Sequence, residues 1–102
     1  MSTETQVRCN SNLNFRLAGK PKAKLLFVAT KGTLVKRLTE PNVEGFALGR
    51  IDTYRVGKEM PANVRLGRDA VFAADGPPDE YGHTPGHVGG WFYVAHTTPV
   101  EA

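Results

Sequence analysis

The chain has little of several features that would fix its fold or chemistry directly. Cys9 is its only cysteine, so no disulfide can form within one chain and no thiolate cluster can hold a metal. No apolar run approaches the roughly 18 residues of a membrane-spanning helix. Met1 to Gln6 also lacks the basic and apolar blocks of a signal peptide. We therefore expect a soluble domain, synthesised in the cytoplasm without export and held together by core packing.

Long helical patterns are missing as well. The 102 residues include 11 glycines and seven prolines, and no stretch repeats apolar residues at the helical period through three turns. A chain of this length can bury one modest core. These features predict a single all-β domain over residues 1–102, either a small barrel or a β-sandwich, with residues 1–6 as a polar tail.

Charges of one sign are absent from two long segments. No Asp or Glu occurs from Thr5 to Thr39, and no Lys or Arg occurs from Asp69 to the end. The first segment carries eight basic residues and the second five acidic ones. The two segments either lie side by side and neutralise each other, or the basic one meets an anionic partner or the acidic end of another copy.

Short apolar and alternating runs predict where the strands lie. The segments that we predict as strands are Leu13 to Leu17, Leu25 to Thr30, Thr33 to Leu38, Gly45 to Tyr54, Met60 to Leu66 and Trp91 to His96. Arg68 to Ala74 fits either a strand or one or two helical turns. The turn formers Lys31 and Gly32 join two of these strands, which predicts a hairpin.

The stretch from Asp75 to Gly90 contains eight glycines and prolines, which predicts a long loop without regular structure. Such loops are often functional. Fixing so much glycine is entropically costly, so we expect the loop to be mobile until a partner orders it. Tyr81 is its one large anchor, with Asp79 and Glu80 beside it to meet a basic surface. Trp91, in the strand that follows, is expected to fill the core.

One segment also carries a family pattern. Leu13-Asn14-Phe15-Arg16 is followed by Gly19 and Pro21, then by an apolar strand, Lys31-Gly32-Thr33 and a second apolar strand, with Gly90-Trp91 later in the chain. This order resembles the opening of a bacterial Src-homology-3 domain, over about a quarter of the chain. The resemblance implies a small barrel whose aromatic residues line a peptide- or glycan-binding groove. Leu17 stands where the family has Ser, and about fifty residues separate the hairpin from Trp91, which implies an insertion.

Catalytic and metal-binding patterns are not recognisable. None of the short catalytic motifs occurs, so we expect no enzyme activity, no catalytic residues and no cofactor. His83 and His87 are four residues apart, a spacing that serves metal binding on a helix. Pro85, which lies between Gly82 and Gly86, excludes a helix there, so we expect no metal site.

The sequence therefore predicts a non-catalytic binding or assembly module that contacts a protein, a glycan or another polymer surface. We place its contact at Tyr81, Asp79 and Glu80. The basic surface that would receive this contact is the Lys20, Lys22 and Lys24 loop of a neighbouring copy.

Two alternatives remain open. One is a structural subunit of a larger particle, such as a phage capsid-decoration or tail accessory protein, which would be virion-associated. The other is salt-sensitive, backbone-driven nucleic-acid binding through the basic N-terminal third.

Overall fold

The computed structural model describes residues 5–68 and 70–100, and in them nine strands form one antiparallel sheet. The strands are β1 Thr5–Cys9, β2 Leu13–Arg16, β3 Leu25–Ala29, β4 Leu34–Arg37, β5 Phe46–Val56, β6 Val64–Leu66, β7 Ala73–Ala74, β8 His83–Tyr93 and β9 Thr97–Pro99. The helical content of this described part is a 3-10 turn, Val94–His96. Its helices include none that is long and apolar enough to cross a membrane. The prediction of an all-β domain is confirmed.

The sheet curls over on itself but is not closed into a barrel. Its order is β6-β3-β2-β8-β5-β4-β1-β9, with β7 added to β8. In a flat sheet β1 and β2 would lie four strand spacings, about 19 Å, apart. The link from Cys9 to Leu13 spans only about 14 Å when fully extended. The short link therefore requires the two halves of the sheet to fold towards each other.

One hydrophobic core fills the space between the two halves. Phe15 of β2 stacks on Phe27 of β3 with ring centroids 4.4 Å apart, and it contacts Phe92 of β8 at 5.4 Å. The same cluster includes Val35 of β4 and Cys9 of β1. Burial raises the pKa of the Cys9 thiol to about 11, so at neutral pH the group stays protonated and unreactive.

The predicted hairpin, which joins Leu25–Thr30 to Thr33–Leu38, is wrong. β3 pairs with β2 and β6, whereas β4 pairs with β1 and β5. The turn between them is bonded instead to the end of β1, because the Gly32 N–H donates to the Cys9 carbonyl and the Cys9 N–H donates to the Thr33 carbonyl. Gly32 has φ +90°, which lets the chain pass from one half of the curled sheet to the other.

The predicted loop from Asp75 to Gly90 is also wrong over its second half. β8 begins at His83, so irregular structure is confined to residues 75–82. Two glycines of β8, Gly86 and Gly90, face inward where other groups come close: a Cβ at Gly86 would lie 2.3 Å from the Phe72 ring, and one at Gly90 would lie 3.2 Å from Phe15 Cβ. Pro85 accepts a hydrogen bond from Asp75 through its carbonyl. The Pro85 nitrogen, which has no hydrogen to donate, therefore faces the short edge strand β7. The pairing of β8 with β5 loses no hydrogen bond through it.

The ends of the domain differ from the predictions in two smaller ways. Thr5 and Gln6 belong to β1 rather than to a polar tail, and residues 1–4 lie outside the described part. The final predicted strand is divided between the end of β8 and the 3-10 turn. Within it the core residue is Phe92, which is fully buried, whereas Trp91 is half-buried on the outer face against Gly19.

Because Phe92 is buried and Trp91 is half-buried, replacing each by alanine should destabilise the domain by a different amount. We expect Phe92→Ala to lower the free energy of unfolding by about 3–5 kcal/mol, because it leaves a cavity inside the core. Trp91→Ala should lower the free energy of unfolding by less, since the Trp91 side chain is already partly exposed to solvent. Chemical denaturation of both variants measures the difference. An equal or larger loss for Trp91→Ala would contradict the assignment of Phe92 as the core residue.

Candidate functional site at the two ends of a ribbon

β5 and β8 form a long two-stranded ribbon in which Phe46 pairs with Tyr93 at one end and Val56 pairs with His83 at the other. Side chains alternate along it, so that Ile51 and Phe92 face the core while their neighbours face outward. His83 and Trp91 are eight residues apart, which is roughly 26 Å of extended strand. The outward face therefore presents two separated ends.

The first end is an exposed group of apolar and aromatic side chains, here called the aromatic tip: Tyr54, Val56, Tyr81 and His83. The His83 ring stacks on Tyr54 with centroids 5.1 Å apart and lies 6.4 Å from the Tyr81 ring. Tyr81 is 75% exposed and Val56 is 45% exposed. Large rings held together but left open to solvent are typical of a contact surface.

The turn that presents Tyr81 is hydrogen-bonded internally. Asp79 Oδ1 accepts from the backbone N–H of Tyr81 at 2.9 Å and of His83 at 2.8 Å. The hydrogen bond from His83 is the main cause that lowers the pKa of Asp79, and the one from Tyr81 adds to it. The predicted contact residue Asp79 is therefore a turn-forming residue. Within the described residues, Glu80 beside it makes no ion pair.

The middle of the ribbon carries a chain of ion pairs. Asp52 accepts from Lys36 Nζ and from Arg50 Nε, each at 2.7 Å. Lys36 and, after it, Arg50 lower the pKa of Asp52. Arg50 also reaches Asp75 at 3.5 Å, and His87 Nδ1 lies 3.0 Å from the same carboxylate. This chain fixes the start of the 75–82 segment to the ribbon and separates the aromatic tip from the other end.

The second end is a cleft of about 600 Å³, here called the outer groove. Its lining residues are Ser11, Asn12, Leu13, Asn14, Arg16, Pro21, Glu44, Phe46, Tyr93 and His96. Three of them form a second ring cluster, because Tyr93 lies 5.3 Å from Phe46 and 5.1 Å from His96. Rings beside a few polar groups are the usual lining of a ligand or peptide site.

Asn42 holds the walls of the outer groove in place. Its side-chain oxygen accepts from the N–H of Glu44 at 3.0 Å and of Phe46 at 2.9 Å, and its amide donates to the Gly19 carbonyl at 3.0 Å. Gly45, which lies between these two donor residues in the chain, has φ +85°. One side chain thus connects the 17–24 loop, which contains the predicted Lys20, Lys22 and Lys24, to the start of β5.

Positive charge gathers around this groove. Arg16 lines it, and Lys20 and Lys22 flank the lining residue Pro21. The Lys31 N–H donates to Asn12 Oδ1 at 3.2 Å, which places that residue at the same end. Other members of the basic segment bind carboxylates, as in the 3.6 Å pair of Arg37 and Glu40. The positive segment is thus divided between the groove and internal ion pairs.

The structure does not bring the predicted site residues together within one chain. Tyr81, Asp79 and Glu80 lie beyond the His83 end of β8, whereas the lysine loop contacts Trp91 through Gly19. Sequence reasoning missed Tyr54 and Val56 as members of the aromatic tip. Tyr54 ends the predicted strand and Val56 lies beyond it, and only the β5–β8 register places them beside His83.

Comparison with protein-family models, with curated proteins and with solved structures finds no match for this chain. The Src-homology-3 resemblance therefore stays a prediction. Among the described residues, no group of three or more His, Cys, Asp or Glu side chains is placed to hold a metal ion.

The hydrogen bonds of Asp79 predict a turn that opens in acid. A carboxylate whose pKa is lowered by folding contributes stability above its unfolded pKa, and that stability is lost as pH falls through the lowered folded value. The amides of Tyr81 and His83 should therefore lose protection below about pH 4, measured by NMR as the exchange rate relative to that of an unstructured amide at the same pH. At neutral pH, Asp79→Ala should give the same loss of protection, whereas Asp79→Asn keeps an acceptor oxygen and should change it less. Unaltered exchange in Asp79→Ala would contradict this role.

Proposed function

We propose that this domain is a non-catalytic assembly module that contacts a protein surface through the aromatic tip. The exposure of Tyr81, at 75%, is the observation that supports it most directly. Interface hot spots are enriched in tyrosine, because its ring buries a large area at a small cost in side-chain entropy. The internal hydrogen bonds of the turn already fix its backbone, so less ordering is needed on binding.

Binding also accounts for the polar groups better than catalysis does. The Asp79 carboxylate forms the turn, and Asp75 bonds to Arg50 and His87. Both carboxylates thus have structural partners and are 42% exposed or more. A catalytic acid or base is normally held in a site that excludes water and shifts its pKa to suit proton transfer.

The carboxylates around the aromatic tip favour a basic protein surface as the partner. Asp79 and Glu80 would repel a nucleic acid or another polyanion at this end. Other copies of the same chain offer a suitable surface, because Arg16 lines their outer grooves and Lys20 and Lys22 adjoin the lining residue Pro21. A particle built from repeated copies, such as a phage capsid or tail, is the setting that fits such an assembly module.

Self-association that depends on Tyr81 tests this proposal. We expect the wild-type chain to gain mass with concentration at low salt in sedimentation velocity. Tyr81→Ala should weaken that association by roughly tenfold or more without altering the melting temperature much. Leu25→Ala is a matched control, since Leu25 is a 42% exposed apolar residue on β3. A wild-type chain that stays monomeric at millimolar concentration would refute the proposal.

Binding of an anionic polymer is a second candidate, which the basic end of the ribbon favours. Within the described residues Lys20 and Lys22 make no ion pair, and they adjoin Pro21, which lines the same cleft as Arg16. We expect Lys20→Glu/Lys22→Glu to lower the salt needed for elution from a polyanion column. Arg65→Glu/Arg68→Glu makes the same change in net charge at exposed positions elsewhere. Equal shifts for the two variants would attribute retention to net charge and remove this candidate.

A further inference from the structure

We infer that the surface that receives the aromatic tip is the outer groove of a second copy, so that chains join head to tail. This inference rests on the proposed assembly function and names its partner surface. It concerns two parts of the molecule that no single chain can bring into contact.

The shape and lining of the groove suit the tip. Its volume of about 600 Å³ lies within the usual range of roughly 300–1,000 Å³ for ligand sites. Phe46, Tyr93 and His96 line it, with the Tyr93 ring tilted by 51° to Phe46 and by 59° to His96, and aromatic pairs favour such tilted contacts. Among the large hydrophobic residues of the tip, Tyr81 is the most exposed, at 75%. An entering phenol ring would therefore meet both aromatic and polar lining residues.

The charges at the two ends are complementary. Arg16 lines the groove, and Lys20 and Lys22 are the sequence neighbours of the lining residue Pro21, whereas Glu44 is the one carboxylate among the described lining residues. At the tip, Glu80 has no ion-pair partner among the described residues. The lysines of the groove likewise have none there. A contact between copies would give both sets of charges their partners, and it would weaken as salt screens them.

The tip and the groove are different surfaces at opposite ends of the ribbon, and this determines the symmetry of the assembly. The tip lies at the His83 end of β8, and the groove lies at the Tyr93 end. One copy can therefore use its tip and its groove at the same time with two different neighbours. Such a heterologous contact produces rings or open filaments, whereas a contact between two identical tips would stop at a dimer.

Two variants with complementary defects test this geometry. The groove variant, Lys20→Glu/Lys22→Glu, keeps its tip, and the tip variant, Tyr81→Ala/Glu80→Lys, keeps its groove. All four side chains are exposed, and a melting curve of each variant checks that it folds. We expect each alone to associate roughly tenfold or more weakly than wild type. A one-to-one mixture should form heterodimers and nothing larger, because one intact tip meets one intact groove.

Light scattering of the same samples separates the outcomes. A groove variant that associates as strongly as wild type, or a mixture that stays monomeric, would overturn the head-to-tail contact and leave assembly through the tip standing. A monomeric wild-type chain would overturn the proposed function itself and this inference with it. The Arg65→Glu/Arg68→Glu variant should associate as wild type does, which excludes an effect of net charge alone.

Discussion

The pairing of β5 with β8 is the constraint on which the rest of the molecule depends. Eleven residues of each strand are in register, from Phe46 opposite Tyr93 to Val56 opposite His83. The two strands are not consecutive, so their pairing closes a long segment of chain and needs many bonds and a shared core to offset the lost entropy. The inward side of the ribbon supplies Ile51, Val88 and Phe92 to the core. Its outward side then presents the aromatic tip and the outer groove at fixed separation.

Glycine has a packing role in this ribbon that a local interpretation of the sequence misses. In β8 the inward positions alternate between small and large residues, and Gly86 and Gly90 lie where Phe72 and Phe15 approach the backbone. Judged locally, the same residues predict a loop, because glycine and proline break regular structure far more often than they support it. The close approach comes from other strands, so no window of sequence around Gly86 contains the information that makes it a strand residue.

The strands from β2 to β6 were largely predictable, whereas β1, β9, most of β8 and the pairing of the strands were not. Alternation identified β2, and apolar runs identified β3 and β4, because side-chain periodicity is a local property. The turn at Lys31 and Gly32 has the composition of a hairpin turn, yet it joins two halves of a curled sheet. Its bonds to Cys9 decide this, and Cys9 is more than twenty residues away in the chain. The same limit applies to the site: Tyr81 stands out by its surroundings in sequence, but Tyr54 joins it only through the β5–β8 register.

The uneven distribution of charge along the sequence becomes a polarity in space. Asp52 and Asp75 bind Lys36, Arg50 and His87 in the middle of the ribbon, so that part of the surface is locally neutral. Glu80 remains at one end, and Lys20 and Lys22 remain at the other. If all opposite charges were paired within one chain, they would exert little electrostatic force that could orient a neighbouring copy. Because charges are paired in the middle and Glu80, Lys20 and Lys22 are left at the ends, the proposed attraction between copies would favour one orientation, with Glu80 towards the groove. The rings at both ends would then add the short-range contact that screened surface charges alone provide only weakly.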